Sequence, residues 1–254
     1  MLEKEIIVLK IGGAELDNPD FLAGFAVAVK EMTKRARPLI VHGGGKDIAR
    51  VQEKLGLEPR FLEGLRITDE ESLEVAEMVL SGLVNKRLVA RLVSVGLPAM
   101  GLSGVDLGMV RVEKMLHPKG DLGWVGKIVE VRTFGLRSLM EIRAVPVISP
   151  ISLGMDGHTY NVNADHAAQA FAVALPAESL VFVSNVPGVV IDGQLIPRLT
   201  LKEAEKFIEE GKIYGGMVPK VRAALEAVSG GVRKVRITDL EGLRRRGGGT
   251  TVVP

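Results

Sequence analysis

The sequence contains no cysteine, and that one absence removes disulfides, thiolate metal sites and cysteine nucleophiles together. It suits a reducing cytosol, or a hot habitat in which thermolabile residues are depleted. Aromatic residues make up only 4% of the chain, so a core has to be assembled from Val, Leu, Ile and Ala. An excess of one charge is missing too. Lys and Arg number 33 against 31 Asp and Glu, which is not the balance of a nucleic-acid binder. The one basic cluster, Arg244, Arg245 and Arg246, reads as a solvated surface feature. Long apolar runs are absent at the start: MLEKEIIVLKIGG carries acidic residues and one short apolar stretch, so it is neither a signal peptide nor a membrane span. The histidines (His42, His117, His158 and His166) do not fall at metal-ligand spacing, and no metal site is expected from them. These absences lead to the expectation of a cytoplasmic protein with no membrane and no nucleic-acid partner.

What is present is globular. The chain has 254 residues, 46% hydrophobic and 25% charged, enough for one large domain or two closely packed lobes. Apolar runs at 6–11, 38–42, 98–102, 144–149, 180–184 and 234–238 read as buried strands. Helical patterns at 20–34, 46–55, 69–95, 164–175, 201–209 and 217–228 lie between them, with Thr68 as N-cap of the long helix. The stretch from Met109 to Val131 reads as an insertion of short strands around glycine turns. Alternation of this kind predicts an α/β fold: a three-layer αβα sandwich around a mainly parallel central sheet. A soft boundary near 175–180 divides the chain into lobes 1–175 and 176–254. The 69–95 helix is apolar on more than one side, through Leu73, Ala76, Leu80, Leu83 and Val84 on one face and Val75, Met78 and Val79 on others. That places it deep in the core or at a subunit interface, and makes it the candidate contact of a homodimer.

Chemistry is suggested by residues that break the local pattern. Gly12-Gly13 and Gly43-Gly44-Gly45 each follow an apolar strand, where glycines let backbone N–H groups approach phosphate oxygens; the plain alternative is a tight turn. Neither matches the dinucleotide fingerprint or the P-loop, and Val41-His42-Gly43 supplies no acid for a ribose, so a dinucleotide-binding oxidoreductase is disfavoured. Lys10 interrupts a run of Ile, Val and Leu. A buried lysine is costly unless its ammonium meets an anion or water, so it either reaches a phosphate or snorkels to solvent. Asn161, Asn163 and Asp165, spaced by two, would share one face of an extended segment, or else form a polar turn and helix cap. Gly215-Gly216 opens a helix carrying Lys220. Two lysines with an acid between them suggest a phosphate clamp, Asp165 holding Lys10 and Lys220 while both amines contact ATP.

Taken together these segments resemble the amino-acid kinase family, and within it the acetylglutamate kinase branch. The resemblance rests on Lys10-Ile11-Gly12-Gly13, Val41-His42-Gly43-Gly44-Gly45, Gly64-Leu65-Arg66-Ile67-Thr68-Asp69, Gly82-Leu83-Val84-Asn85-Lys86, Gly101-Leu102-Ser103-Gly104, Tyr160 to Asp165, Val186-Pro187-Gly188 and Gly215 to Lys220, all in family order. It implies the amino-acid kinase fold, an N-terminal lobe for the acid substrate, a C-terminal lobe for ATP, and phosphorylation of the γ-carboxylate of N-acetyl-L-glutamate in arginine biosynthesis. It further implies that Lys10 and Lys220 stabilise the phosphoryl group and that Asp165 organises them. Gly44, Gly45, Arg66 and Asn161 would bind the acid. Gly12, Gly13, Ser184, Asn185, Val186, Gly188, Gly216 and Met217 would lie along the nucleotide. ATP is the implied co-substrate, with Mg²⁺ held mainly by its phosphates and no protein metal site. A sensing module on the same fold should have lost a lysine or the aspartate, and all three are present.

Some features lean to a sister branch that phosphorylates aminoadipate or glutamate joined to an acidic carrier protein. They are Asn185, the segment Val84 to Val89, and Glu226 to Val232, with Arg244–246 as a conceivable docking surface. The chain starts almost directly at its first strand, so the extra N-terminal helix of arginine-inhibited relatives is not expected, nor is arginine feedback.

Overall fold

The computed structural model describes residues 4–245 and 247–254. Arg246 of the basic cluster, and Met1 to Glu3 of the start considered above, lie outside the described residues. The six apolar runs become six strands of one eight-stranded sheet, β1 (Glu5–Ile11), β2 (Ala36–His42), β3 (Ala99–Ser103), β4 (Val145–Ser149), β5 (Ser179–Val183) and β7 (Val235–Thr238), and two strands not expected from the sequence, β6 (Arg198–Thr200) and β8 (Thr250–Val253), complete it. Their spatial order is β6-β8-β7-β5-β1-β2-β4-β3. The stretch from β7 to β3 is parallel throughout; β8 runs antiparallel to β7 and carries β6 parallel beside it.

Ten α-helices among the described residues connect these strands: α1 (Gly13–Leu16), α2 (Pro19–Thr33), α3 (Gly45–Lys54), α4 (Glu70–Glu77), α5 (Asn85–Ser94), α6 (Phe134–Glu141), α7 (Ala164–Ala174), α8 (Leu201–Glu209), α9 (Met217–Ser229) and α10 (Leu240–Arg244). Two apolar cores lie on opposite faces of the sheet. One joins Val8, Leu39 and Phe182 to α6, α7, α8 and α9; the other joins Leu9, Ile11 and Ile40 to α2, α3, α4, α5 and α10. This is the expected three-layer αβα sandwich, and Phe25 and Phe171 are its only aromatic side chains among the largest fully buried residues.

The long helix differs from the reading of the sequence. Asp69, not Thr68, is its N-cap, its carboxylate accepting from the Ser72 N–H at 3.0 Å. Thr68 instead pairs its backbone with Leu122 and Trp124. Between α4 and α5 the chain widens into a π-helical turn, Met78–Val84, so the helix is continuous in space but not uniformly α. That turn carries Leu83 out of the predicted apolar face: Leu83 and Met78 are exposed, whereas Leu73, Val75, Ala76, Val79, Leu80 and Val84 are buried. The 109–131 insertion supplies two strands, Val110–Lys114 and Gly126–Val131, and is larger than expected. Ile151–Gly154 and Thr159–Asn161 join it in a four-stranded ribbon sheet. The stretch 175–180, where the sequence suggests a soft boundary, holds the turn between α7 and β5 and the first residues of β5.

A buried polar hub ties together β2, β4 and β3, the strands on one side of β1. The Asn85 side-chain amide donates to the Val147 carbonyl at 2.9 Å and the Leu102 carbonyl at 3.3 Å, and faces His42 Nε2 at 3.1 Å. The Gly43 carbonyl, 3.0 Å from Nδ1, can only accept, so Nδ1 carries the ring proton and Nε2 is the bare nitrogen that faces the amide. Burial pushes the His42 pKa down to about 4, and the nearby Lys86 ammonium pushes the same way. The unfolded ring binds its proton near 6.5, so between 6.5 and about 4 only the unfolded chain takes it up, and stability falls as pH drops through that window. In full the loss is on the order of 3 kcal/mol. Thermal unfolding of the parent and of His42→Gln between about pH 7 and about pH 4.5 checks this. The parent should lose stability more steeply, and parallel slopes would mean that another group carries the acid sensitivity.

Candidate functional site

From β1 the first half of the chain builds the sheet outward through β2, β4 and β3; the second half returns to the other side of β1 through β5 and β7. β1 and β5 are therefore a switch point, where connections leave in opposite directions and the loops beyond the strand ends part to leave a crevice. In register, Lys10 stands beside Val41 on β2 and Phe182 on β5. Side chains alternate along β1, so Lys10 shares the face of Val8 that looks toward α7, while Leu9 and Ile11 fill the opposite core.

Lys10 meets Asp165 there, Nζ to Oδ1 at 2.9 Å, both side chains largely but not wholly covered. Asp165 lies in the first turn of α7, where a carboxylate is favoured by the helix dipole. Asn163 is the N-cap of that helix and accepts from the Asp165 N–H at 2.7 Å. The three polar residues therefore do not share one extended face. Asn161 ends a strand, the chain turns, and Asn163 and Asp165 belong to the helix start, yet all three line one cavity.

That cavity has a volume of about 280 Å³ and gathers Lys10, Gly13, Gly44, Gly45, Arg66, Asn161 and Asp165. The two glycine loops meet backbone to backbone. A Cβ on Gly13 would stand 3.1 Å from Gly44 Cα and 3.2 Å from Gly45 N, tight enough to press the loops apart by a few tenths of an ångström. Gly44 is the N-cap of α3 and supplies no side chain, which leaves the first N–H groups of that helix available to an anion. Arg66 enters from the opposite side. Its guanidinium donates to Gln52 Oε1 at 2.5 Å and to the Gly45 carbonyl at 3.0 Å, and lies 4.8 Å from the Phe61 ring centre. Burial lowers its pKa from the usual value, and a guanidinium remains charged regardless. Asn161 donates to Thr68 Oγ1 at 3.2 Å, which ties it to the segment carrying Arg66.

The remaining expected residues stand apart from this cavity. Gly12 caps α1. Ser184, Asn185, Val186 and Gly188 form the loop beyond β5, where Ser184 donates its N–H to the Thr238 carbonyl and accepts from the Val186 N–H. Gly188 has φ +145°, and a side chain there would strike Thr250. Gly216 and Met217 begin α9, a helix with no side-chain cap, and Lys220 follows one turn later. The expected clamp is half formed: no ion pair joins Lys220 to Asp165 among the described residues, because Lys220 sits on a separate helix beyond the β5 side of the crevice.

Gln52, Phe61 and Met115 at this cavity or its wall went unread in the sequence. Gln52 could have been found, since it falls four residues after the buried Ile48 on the inner face of α3. Among the described residues no group of three or more His, Asp or Glu could hold a metal ion, and no helix is long and apolar enough to cross a membrane.

A crevice at a switch point, with a paired lysine and uncapped helix starts, offers a cation and free N–H groups to an anion. Comparison with known proteins gives the family. The model of the amino acid kinase family matches residues 5–239. The acetylglutamate kinase of Roseiflexus castenholzii is 54% identical over 95% of this chain and 92% of its own. That of Methanopyrus kandleri is 46% identical over 96% and 99%. Among solved structures, the N-acetylglutamate synthase of Neisseria gonorrhoeae complexed with coenzyme A and N-acetyl-glutamate superposes with a TM-score of 0.84 at 26% identity; it covers 98% of this chain, which spans 59% of that one. The chain belongs to the amino acid kinase family.

Proposed function

We propose that this enzyme transfers the γ-phosphoryl group of ATP to the γ-carboxylate of N-acetyl-L-glutamate, giving N-acetyl-L-glutamyl 5-phosphate for arginine biosynthesis. The observation that carries the reading is the Lys10–Asp165 pair at the switch point, with Arg66 and the α3 start on one side and the loop beyond β5 on the other. The names borne by relatives at 42–54% identity point to the same reaction.

A carboxylate oxygen attacks the γ-phosphorus, a P–O bond forms, and the bond to the β,γ-bridging oxygen breaks with its electron pair leaving on ADP. The nucleophile has an ordinary pKa of about 4.3 and is already ionised at neutral pH, so no general base is needed. What remains is positioning and neutralisation. Lys10 and Lys220 neutralise charge on the transferring group, and Asp165 fixes the Lys10 ammonium. With the phosphoryl group between them, Lys220 has no need to touch Asp165. Arg66 pairs a substrate carboxylate through its two-pronged guanidinium, and Asn161 binds beside it. Gly44 and Gly45 direct N–H groups at the acid, and Gly12 and Gly13 at phosphate. Ser184, Asn185, Val186, Gly188, Gly216 and Met217 follow the nucleotide. In this reading residues 1–175 hold the acid and 176–254 hold ATP. A cavity of about 280 Å³ suits a small dicarboxylic acid rather than a whole nucleotide. Mg²⁺ travels with the ATP phosphates, which suits a cavity lining whose acidic residue, Asp165, is already engaged by Lys10.

The exposed Met78, Leu83 and Val93 on the 69–95 helix, with Met100 on the edge strand β3, support a homodimer through that face. The working compartment is the cytoplasm.

Hydroxamate trapping of the acyl phosphate tests the reaction, with MgATP and N-acetyl-glutamate, N-acetyl-aminoadipate or free glutamate in parallel. Strong signal with N-acetyl-glutamate alone is expected. Silence with every free acid, despite ATP binding, would point to a carrier-linked substrate instead. In the same assay Lys10→Ala should lower kcat by about 10²–10³-fold while the protein stays folded. Near-normal turnover would remove Lys10 from the phosphoryl group. Arg66→Ala should raise KM for the acid by about tenfold to hundredfold and leave KM for ATP nearly unchanged; a selective loss of ATP affinity would place Arg66 at the wrong end of the site.

A further inference from the structure

Behind the two glycine loops, on the side away from the cavity, a wholly buried carboxylate remains to be accounted for. Asp47 sits in the first turn of α3, two residues beyond Gly45, and has no exposed surface. Burial alone would raise its pKa, but hydrogen bonds from Arg50 and Arg87 outweigh this and hold it below the usual carboxylate range. Arg50 comes from α3 itself, Nη2 to Oδ1 at 2.5 Å. Arg87 comes from α5 and grips both carboxylate oxygens, at 3.2 Å and 3.4 Å. The same guanidinium reaches Asp17 at 3.3 Å. Asp17 is the C-cap of α1, the single turn that begins at Gly13.

One guanidinium therefore joins the far ends of two short segments whose near ends are the glycine loops. Gly13 leads into α1 and Asp17; Gly44 and Gly45 lead into α3 and Asp47. At the near ends the loops touch only through backbone, with no side chain to lock them. We propose that Arg87, bridging Asp47 and Asp17, is a positioning residue that sets the spacing of the two glycine loops across which the phosphoryl group passes. A fork-shaped guanidinium can hold two acids at fixed angles, which a lysine cannot. Arg50 duplicates the neutralisation of Asp47 but not the link to Asp17, so charge balance alone does not require Arg87. The inference rests on the kinase reading above. It adds that a residue touching neither substrate tunes kcat.

Steady-state kinetics on the full chain, by hydroxamate trapping with both substrates varied, test it. Arg87→Gln leaves Asp47 its Arg50 partner and should fold. We expect kcat to fall by about tenfold to hundredfold, with both KM values changed much less, since the substrates' own contacts are intact. Arg87→Lys should restore little of the loss. Asp17→Asn, at a half-exposed site, should lower kcat in the same sense, and adding it to Arg87→Gln should cost nothing further. If Arg87→Gln keeps parental kcat and loses only thermal stability, the strut is merely structural and the proposal falls. Should Arg87→Gln fail to fold, parental kcat in Asp17→Asn overturns it equally. An inactive parent would count against the kinase reading itself; an active parent with unaffected variants counts against the strut alone.

Discussion

A lysine in the middle strand of a sheet is the constraint on which the other features of this protein depend. β1 is flanked on both edges and covered on both faces, so Lys10 must find an anion or open a path to water. It finds Asp165, and the direction of the side chain decides the rest. Because Lys10 alternates with Leu9 and Ile11, its ammonium points away from the α2–α5 core and into the face under α7. α7 must then begin at the crevice, with its first turn over the ends of β1 and β2. The loop from Tyr160 to Asn163 delivers it there, and Asn163 caps it. An apolar pair in the same place would be at least as stable, since buried ion pairs seldom add net stability. What the pair supplies is a fixed ammonium at the point where the sheet divides.

The second constraint is closeness of backbone. The loops after β1 and β2 approach until a side chain on Gly13 would press on the backbone of Gly44 and Gly45. That contact brings the N–H groups of two glycine loops to one place, and one backbone bond, from the Gly43 N–H to the Ile11 carbonyl at 3.0 Å, joins them there. Further locks lie behind. On one side the buried hub of His42 and Asn85 fixes the end of β2 against the Val147 and Leu102 carbonyls. On the other, Asp47, Arg87 and Asp17 join the helices that carry the loops away. Each polar group is satisfied, so the loops are held from beneath while their N–H faces stay free.

Sequence patterns revealed a great deal of this, and the parts missed share a physical cause. Continuous apolar runs announced the parallel strands because strands buried on both faces need little else. Lys10 was legible because it is the wrong residue for its run. Arg66 was legible only through the resemblance of its segment to a family; its local pattern gives no hint that Gln52 and Phe61 would hold it. The strands Ile151–Gly154 and Thr159–Asn161 are too short to show a period; they pair with each other, and the strand that joins them to the ribbon, Val110–Lys114, lies some forty residues before Ile151–Gly154. β6 and β8 were overlooked for the same reason, each being three or four residues at the sheet's edge. The widened turn at Met78–Val84 defeated a helical wheel, since a π segment shifts every later residue around the axis and carries Leu83 outward. Arg87 drew no reading of its own from the sequence. Its meaning depends on two acids, 40 and 70 residues away in the chain, that only the fold brings together.

The composition of the site also explains what it lacks. Joining a carboxylate to a triphosphate brings like charges together, and that repulsion, rather than any proton transfer, is the difficulty of the reaction. A site for such chemistry should be built from donors and cations, with acids present only to hold cations in place. The cavity lining follows that rule: Lys10, Arg66, Asn161 and the starts of two helices face inward, while the carboxylate of Asp165 is engaged by Lys10. A free carboxylate at the centre would add repulsion, and a histidine base would have no proton to remove from a nucleophile that is ionised already. His42, adjacent to the glycine loop, conforms as well. Its ring is buried, turned toward Gly43 and Asn85, and kept neutral by its surroundings, so it shapes the loop and takes no part in moving protons.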